Sequence, residues 1–323
     1  TCGTWTEETA PAPLSLLNGF WASSPTDMFA VGGTFNVGKI IHSDGGPWLV
    51  QPIPTVRDVR DIIGFAPNDV YAVGRGPNPT FDGALLHYDG SSWSKVTGTP
   101  SVTTNGFYSD IWGTSASDIY VLGWDGSIAV LFHFDGASWS DMQLPMPPIK
   151  SAPGDVWGTS GNDLWVVGAF NDATNKETGG VVYHFNGSSW TEYDPPQTTA
   201  LYAIHGSSEC EVIAAGKYKN GSTYEAVTMY FDGTAWTEST TNEAQGIEGV
   251  WSGESNKTLF AGSRLSIADG RLGVDDGSHG AVWISSTPNL WLPRASFRIP
   301  GTQTFYMVGD GNSGARLGHA SCN

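Results

Sequence analysis

The chain has 323 residues and a formal net charge of −17, because 32 Asp and Glu outnumber 15 Lys and Arg. Such acidity repels phosphate backbones and anionic lipids, so it argues against nucleic acid and membrane surfaces as partners. No apolar run approaches the roughly 18 residues of a membrane-spanning helix. The acidic, Lys-poor, Trp-rich composition is typical of secreted, periplasmic or cell-surface proteins. No signal peptide is visible, as expected of a mature, processed chain.

A recurring segment organises the chain. In order it reads "GFWASSPTDMFAVG" from Gly19, "DIIGFAPNDVYAVG" from Asp61, "DIWGTSASDIYVLG" from Asp110 and "DVWGTSGNDLWVVG" from Asp155, and three weaker copies follow. The copies end at the glycines Gly32, Gly74, Gly123, Gly168, Gly216, Gly262 and Gly309. A spacing of roughly 40 to 50 residues is typical of one four-stranded propeller blade. The repeat therefore predicts seven blades.

Each copy divides into four short runs rich in β-branched and aromatic residues, which we name strands a, b, c and d. A second recurring phrase, "LHYDGSSW" at Leu86–Trp93, places Asp-Gly between strands c and d, and it returns as "FHFDGASW", "YHFNGSSW" and "MYFDGTAW". Gly tolerates a positive φ, and Asp or Asn can bond its own backbone. The phrase therefore predicts a tight hairpin and not a repeated binding motif.

Tryptophans of the outer strand give the number of blades independently. They are Trp5, Trp48, Trp93, Trp139, Trp190, Trp236 and Trp291. Trp5 precedes every strand a, whereas the last copy stops after strand c, so residues 1–9 are expected to complete the blade formed by residues 293–323. The prediction is an all-β fold, a seven-bladed β-propeller of four-stranded antiparallel blades, in a single domain over residues 1–323.

The cysteines suggest how the chain ends are joined. Cys2 and Cys322 fall at equivalent turn positions of the same blade, so we expect them to be neighbours and to form a disulfide. In the chain-entropy model a bridge across so long a loop stabilises the fold by roughly 5 kcal/mol. It would also imply an oxidising compartment. Two free thiols, or a lipid anchor on Cys2, are the alternatives, and Cys210 is left without a partner.

The two recurring phrases together resemble the tandem repeats of bacterial secreted β-propeller proteins. The resemblance rests on the pattern "WGTS..D.W.VG" followed by "H.DG..W", and it covers essentially the whole chain. It implies the fold and export from the cytoplasm. It implies little about activity, because one fold carries many functions.

Residues that recur at one blade position are interpreted as structural. This applies to five strand-c histidines and to the aspartates that enter strand b, which we expect to cap backbone N–H groups. The histidines are His42, His87, His133, His184 and His319, and the aspartates are Asp27, Asp69, Asp118 and Asp163. His205 stands in place of the strand-a tryptophan, so it is expected to be packed. Only His279 lies off the repeat, which argues against a catalytic triad or a multi-histidine metal site.

Three further aspartates open strand a in successive copies. Asp61, Asp110 and Asp155 are expected near the mouth of a central channel. Three carboxylates there suit Ca²⁺ or another hard cation. The alternative is that they bond neighbouring backbone. No other cofactor is predicted.

The links b–c and d–a vary in length and content, whereas a–b and c–d are short and uniform. Alternating strand direction places both variable sets on one face, which is the candidate binding surface. Aromatic and charged residues on it suit sugar stacking or a protein contact. The candidate ligand-binding residues are Phe81, Trp124, Phe170, Tyr218, Tyr224, Arg264, Arg271 and His279.

These observations favour a secreted, non-catalytic binding protein that recognises a glycan or a surface protein through the variable-loop face. The alternative is an extracellular carbohydrate-active enzyme, a lyase or hydrolase, that uses the acids at the channel mouth with Ca²⁺ as a candidate ion. Binding without turnover would distinguish the first from the second.

Overall fold

The computed structural model describes residues 5–77, 79, 82–102, 105–145, 150–171, 177–195, 200–253, 257–264, 269–275, 282–286, 291–311 and 314–321. Within these ranges the regular secondary structure consists of 28 β-strands. The chain forms two compact units. The first comprises Thr1–Gly126, Val130–Met142 and Arg294–Asn323, and the second comprises Ser127–Ala129 and Gln143–Pro293.

Four blades belong essentially to the first unit. Blade one has β2 (Leu16–Ser24), β3 (Asp27–Thr34), β4 (Val37–Ser43) and β5 (Leu49–Val50). Blade two has β6 (Asp58–Ala66), β7 (Asp69–Arg75), β8 (Gly83–Tyr88) and β9 (Trp93–Lys95). Blade three has β10 (Phe107–Ser115), β11 (Asp118–Trp124), β12 (Ala129–Phe134) and β13 (Trp139–Asp141). Blade seven has β26 (Trp291–Arg298), β27 (Thr304–Gly311), β28 (Gly314–Ser321) and the N-terminal strand β1 (Thr6–Glu8).

Three blades belong to the second unit. Blade four has β14 (Lys150–Ser160), β15 (Asp163–Asn171), β16 (Glu177–Phe185) and β17 (Trp190–Tyr193). Blade five has β18 (Ala200–Ser208), β19 (Glu211–Asn220), β20 (Thr223–Phe231) and β21 (Trp236–Thr241). Blade six has β22 (Gly246–Gly253), β23 (Lys257–Arg264), β24 (Asp269–Asp275) and β25 (Val282–Ser286).

Each blade is an antiparallel sheet in which strand a pairs with strand b, strand b with strand c, and strand c with strand d. The fold is the predicted seven-bladed β-propeller. In the last blade β1 pairs with β28, with Thr6 opposite His319 and Glu8 opposite Leu317. The N-terminal strand therefore supplies strand d of blade seven, as its tryptophan predicts. A single pairing of Leu16 with Asp310 also joins this sheet to blade one.

Blade six corrects the sequence-based assignment. The recurring tryptophans predict that Trp291 lies in strand d of blade six, and the candidate residues Arg264, Arg271 and His279 are assigned to the variable links. Instead β24 (Asp269–Asp275) is strand c and β25 (Val282–Ser286) is strand d. Trp291 begins the inner strand of blade seven. Two Asp-Gly pairs occur in this stretch, and the first of them lies at the start of a strand and not in the c–d hairpin.

The apolar core lies between neighbouring sheets. Between blades one and two it contains Trp21, Phe29, Val59 and Val70, all buried. The Trp21 ring lies directly against β6, where an added Cβ on Gly64 would be 2.5 Å from the ring carbon Cζ2. In the second unit Trp157 approaches Gly206 at the same 2.5 Å. At these two places the strand-a glycine leaves room for the tryptophan ring of the preceding blade.

The c–d phrase forms the predicted hairpin. Gly90 has φ +90°, which only glycine adopts without strain. The carboxylate of Asp89 accepts bonds from the backbone N–H groups of Ser91 at 2.9 Å and Ser92 at 2.8 Å. The Ser91 hydroxyl also donates to this carboxylate, at 2.7 Å, and that bond together with the two backbone bonds lowers the pKa of Asp89 to about 2. The phrase is therefore a structural turn whose polar groups are satisfied locally.

The strand-c histidines are structural, but the strand-b aspartates are used differently from the prediction. The His133 ring stacks on Tyr120 with centroids 4.2 Å apart, and its Nε2 lies 2.8 Å from Asp118 Oδ1. Thr114 donates to the other oxygen of Asp118 at 2.5 Å. Burial raises the pKa of Asp118, but the bonds from Thr114 and His133 bring it below its ordinary value. The same His–Asp pair occurs in His42–Asp27, His87–Asp69 and His184–Asp163. These aspartates tie strand b to strand c and do not cap backbone.

His205 is packed as predicted, between the rings of Trp157 at 5.5 Å and Trp251 at 5.8 Å. Its Nδ1 accepts a bond from the Ser252 backbone N–H at 3.2 Å. Burial lowers the pKa of His205 to about 4. A proton on Nδ1 would face that N–H donor, so the folded state keeps the ring neutral.

The N-terminal strand is anchored by one carboxylate. Glu8 accepts from Trp48 Nε1 of blade one at 2.6 Å and from the Tyr306 hydroxyl of blade seven at 2.6 Å. His319 Nδ1 lies 2.9 Å from the same side chain. Burial, followed by the hydrogen bond to Glu8, raises the pKa of Tyr306. Three side chains therefore depend on Glu8, of which Trp48 and Tyr306 are buried and His319 is half-buried.

Glu8→Ala is expected to lower the free energy of unfolding by roughly 3 kcal/mol, because it leaves these donors without their acceptor. Urea denaturation at pH 7 measures the change. Thr6→Ala, at an exposed site of the same strand, is the control and should change stability by less than about 0.5 kcal/mol. Equal effects of the two substitutions would contradict the anchoring of β1 through Glu8.

His205 should make the protein acid-sensitive. The unfolded chain binds a proton near pH 6.5, whereas folded His205 binds one only near pH 4. Stability from this group is therefore lost as pH falls below about 6.5, at up to roughly 1.4 kcal/mol per pH unit. Urea denaturation at pH 7 and pH 5 should show a smaller loss in His205→Gln than in the wild type. Identical losses would contradict the neutral assignment.

Candidate functional site at the loop ends of the blades

A β-bulge marks strand a in blades one to six. The register between strands a and b shifts by one residue near the start of strand a, for example between Val59 and Asp61 of β6. A bulge redirects the side chain of the extra residue. The bulged residues are Asn18, Arg60 and Ser109 in the first unit and Gly154, Tyr202 and Glu248 in the second. They lie at the end of the sheet that carries the b–c and d–a links, which we call the loop end.

The bulged Arg60 lies on an aromatic ring of the next blade. Its guanidinium carbon is 3.9 Å from the centroid of Phe107, at the start of β10. Arg75, the last residue of β7, lies 4.7 Å from the same centroid. Phe107 also contacts Trp124, with ring centroids 5.7 Å apart. We call Arg60, Arg75, Phe107 and Trp124 the arginine–aromatic patch.

The charge in the patch is only partly balanced. Arg60 Nε donates to Asp58 Oδ1 at 2.8 Å. Arg75 Nε is buried without a hydrogen-bond partner among the described residues. Burial, followed by the positive charge of Arg60, lowers the pKa of Arg75, while Asp58 opposes the shift and Arg57 adds to it. The arrangement is therefore suited to receive an anionic group.

The second unit has a smaller cluster at the loop end of blade five. The ammonium of Lys217 lies 5.2 Å from the ring centroids of both Tyr202, the bulged residue, and Tyr224. Cation–π contacts of this kind hold a lysine over aromatic faces. Tyr224 is opposite Lys219 in the β19–β20 ladder, and Tyr218 is opposite Glu225. Because side chains alternate, Tyr218 is on the other face of this hairpin from Tyr224.

The candidate ligand-binding residues are thus only partly brought together. Trp124 belongs to the patch, and Tyr224 belongs to the lysine cluster. Phe170 is half-buried near the end of β15, opposite Gly179. The backbones of Arg264 and Arg271 lie in β23 and β24, so Arg271 is in a strand and not in a b–c loop. Phe81 and His279 lie outside the described residues.

The acids of strand a are used to link neighbouring blades. Asp61 Oδ2 accepts from the Ile111 backbone N–H at 3.2 Å, and Asp155 Oδ2 accepts from the Ile204 N–H at 2.8 Å. Asp61 also faces Asp110. Burial, followed by that neighbouring charge, raises the pKa of Asp61 well above its ordinary value.

For Asp61 and Asp155, backbone bonding is therefore the alternative that the structure supports. In the described ranges, no three His, Cys, Asp or Glu side chains form a group that could hold a metal ion. The predicted calcium site at Asp61, Asp110 and Asp155 finds no support. Cys2 and Cys322 lie outside the described residues, so their disulfide stays a prediction. Cys210 is a free, exposed thiol.

A second concavity lies between blades two and three, and residues of a c–d hairpin and of a d–a link contribute to its walls. It has a volume of about 690 Å³, and its walls include Tyr71, His87, Phe134 and Trp139. At the corresponding place between blades one and two, Trp93 packs edge-on against Phe29 at 6.0 Å. No ring contact joins Trp139 to Tyr71 in the described part of the chain, and this leaves the groove open.

Sequence reasoning missed Arg60, Arg75, Phe107, Tyr202 and Lys217. A usable signal was present, because the residue just before the strand-a aspartate position changes from copy to copy while its neighbours repeat. Arg60 and Tyr202 occupy that position. Its importance follows from the bulge, which a sequence pattern of alternating residues does not reveal.

Comparison with known proteins supports the fold. No family model matches the chain, and no curated protein matches it. Among solved structures it is similar to virginiamycin B lyase from Staphylococcus aureus, with a TM-score of 0.72 and 12% identity over 99% of both chains. A streptogramin B lyase gives 0.70 and 14%, over 99% of this chain and 98% of that one. YCF48 bound to D1 peptide gives 0.65 and 12%, over 99% and 96%.

These similarities define the class of the protein as β-propeller. At such identities the likeness shows the fold alone, and propellers of this fold include lyases as well as a protein seen with a peptide. Among the described residues there is no helix long and apolar enough to cross a membrane.

Asp61→Asn is expected to stabilise the protein at neutral pH. The raised pKa means that stability from the protonated carboxyl is present at low pH and is lost as pH rises, by about 1.4 kcal/mol per pH unit while one proton is released. Asn keeps an acceptor for the Ile111 N–H and carries no charge. Urea denaturation from pH 4 to pH 8 measures the difference, and Asp44→Asn, at an exposed turn, is the control. A lower stability of Asp61→Asn at pH 7 would contradict the assignment.

Proposed function

We propose that the protein is a secreted, non-catalytic binding protein that recognises a glycan or an extracellular protein through the loop ends of its blades. The observation that carries the proposal is the arginine–aromatic patch. It places two guanidinium groups and two rings together on blades two and three, next to links that vary from blade to blade. Variable links on a rigid scaffold are where binding residues concentrate.

The opposite ends of the blades offer a useful contrast. There the c–d hairpins bond their own backbone through Asp89, Asp135, Asn186 and Asp232 in the same way. Polar groups that are satisfied locally gain little from a partner. The chemical variety that recognition needs is therefore concentrated at the loop ends.

A protein partner has one further support. YCF48, which shares the fold, is known in a structure with a bound D1 peptide. A propeller of this shape can therefore present a peptide-binding surface. Export is supported by the sequence resemblance and by the acidic composition.

An enzyme is the second candidate, favoured by one specific observation. Asp61 and Asp110 face each other on neighbouring inner strands, and the pKa of Asp61 is raised. A carboxyl whose pKa is raised by burial and by a neighbouring carboxylate is suited to general acid catalysis. Two lyases share the fold. Release of product from a bound carbohydrate would favour this reading.

Trp124→Ala is expected to weaken ligand binding about tenfold without unfolding the protein, because it removes an aromatic contact from the patch. An array of neutral glycans, acidic glycans and peptides, read with and without EDTA, would first identify a ligand. Titration calorimetry would then compare the affinities of the variants.

Trp190→Ala is the matched control, since this tryptophan starts strand d at the turn end of blade four. Its affinity should equal that of the wild type. Unchanged affinity in Trp124→Ala, or equal losses in both variants, would contradict binding at this loop end. Circular dichroism verifies that both variants are folded.

A further inference from the structure

We propose that the arginine–aromatic patch binds the carboxylate groups of a short acidic peptide segment, with Arg60 and Arg75 as the anion-binding residues. The inference rests on the proposed binding function and specifies the partner of the same surface. It follows from the unused hydrogen-bond donors of the two arginines, from the charge of the patch and of the whole chain, and from the contacts that the aromatic rings already make.

Both guanidinium groups retain donors. The Nε of Arg60 donates a hydrogen bond to Asp58, whereas its terminal nitrogens make no hydrogen bond to any described residue. Arg75 makes no side-chain hydrogen bond within the same ranges, and its Nε is buried. A guanidinium presents its donors in a planar fork that matches the two oxygens of a carboxylate. Arg60 and Arg75 lie 3.9 and 4.7 Å from one ring centroid, so one carboxylate, or two adjacent ones, can engage both.

Charge limits the size of the ligand. The patch is cationic, but the whole chain has a net charge of −17. A long polyanion would extend beyond the patch and be repelled by the remaining surface. Exposed charges are screened over about 8 Å at physiological ionic strength. A segment with one or two carboxylates gains the attraction of the arginines and avoids most of the repulsion.

The aromatic rings favour a peptide over a sugar. Phe107 carries Arg60 and Arg75 against its ring, so the face on which a sugar would stack is already used. Trp124 lies next to Phe107 and is partly exposed. It can pack against an apolar side chain that neighbours the bound carboxylate. A peptide that combines Glu or Asp with Phe or Leu matches both parts of the patch.

The experiment uses two fluorescein-labelled, end-blocked heptapeptide libraries in which Phe or Leu adjoins either two Glu or two Gln. Fluorescence anisotropy in physiological salt measures their affinity for the full chain. The Glu library should bind at least about tenfold more tightly than the Gln library, because a charge-assisted bond is roughly twice as strong as a neutral one. Arg60→Gln and Arg75→Gln should each remove that preference, and Arg75→Lys should retain part of it.

Arg298→Gln is the matched control. This arginine also lies on a phenylalanine, 5.8 Å from the centroid of Phe305, and its Nε donates to Thr302 O at 2.7 Å at the turn end of blade seven. It should bind the Glu library as the wild type does. Thermal melting verifies that every variant is folded, and Arg75→Lys keeps the test informative should Arg75→Gln fail to fold.

The outcomes separate this inference from the broader one. Equal binding of the Glu and Gln libraries, or binding of oligogalacturonate in preference to Glu peptides, would overturn the acidic-peptide assignment. A ligand from the array that depends on Trp124 but not on Arg60 or Arg75 would also overturn it, and would leave the loop-end proposal in place. Glu-dependent binding that is lost in both Gln variants supports the assignment.

Discussion

Burial between neighbouring sheets is the interaction on which the rest of the structure depends. Within each unit, the apolar side chains of a blade are covered by the next blade, as Trp21 and Phe29 are between blades one and two. A sheet in this arrangement has no core of its own, so an uncovered one would expose both apolar surface and strand edges. This requirement explains why a ring on one sheet lies against a glycine on the next, as Trp21 lies against Gly64 and Trp157 against Gly206. It also explains why the terminal sheet needs β1 as its outer strand.

The repeat made the fold predictable because each copy solves the same packing problem with the same residues. The hairpin at Asp89–Ser92, the stacked His133 and the N-terminal strand all followed from one recurring phrase. Blade six was assigned wrongly because its copy departs from that phrase. It contains two Asp-Gly pairs, and only pairing with β23 decides that Asp269–Asp275 forms a strand.

The candidate site was less predictable, for a physical reason. Trp124 could be found because an aromatic residue at the end of a strand stands out from the repeat. Arg60 and Phe107 come together across two blades, 47 positions apart in the sequence, and only after a bulge has turned Arg60. For the strand-a acids the sequence left two alternatives open, a metal site and bonds to neighbouring backbone. Asp61 and Asp155 look like metal ligands in the sequence, yet each accepts a backbone N–H from the adjacent blade.

The bulge on strand a has a consequence for how such a protein can change. Each of the first six blades carries one residue at this place that the packing of the sheets does not dictate, and in the first unit these are Asn18, Arg60 and Ser109. An amide, a guanidinium and a hydroxyl are all tolerated on the same backbone. Single substitutions at the bulge can therefore change ligand selectivity, one blade at a time, without altering the packing of the sheets. The residues that form the fold are therefore different from the residues that can determine which ligand is bound.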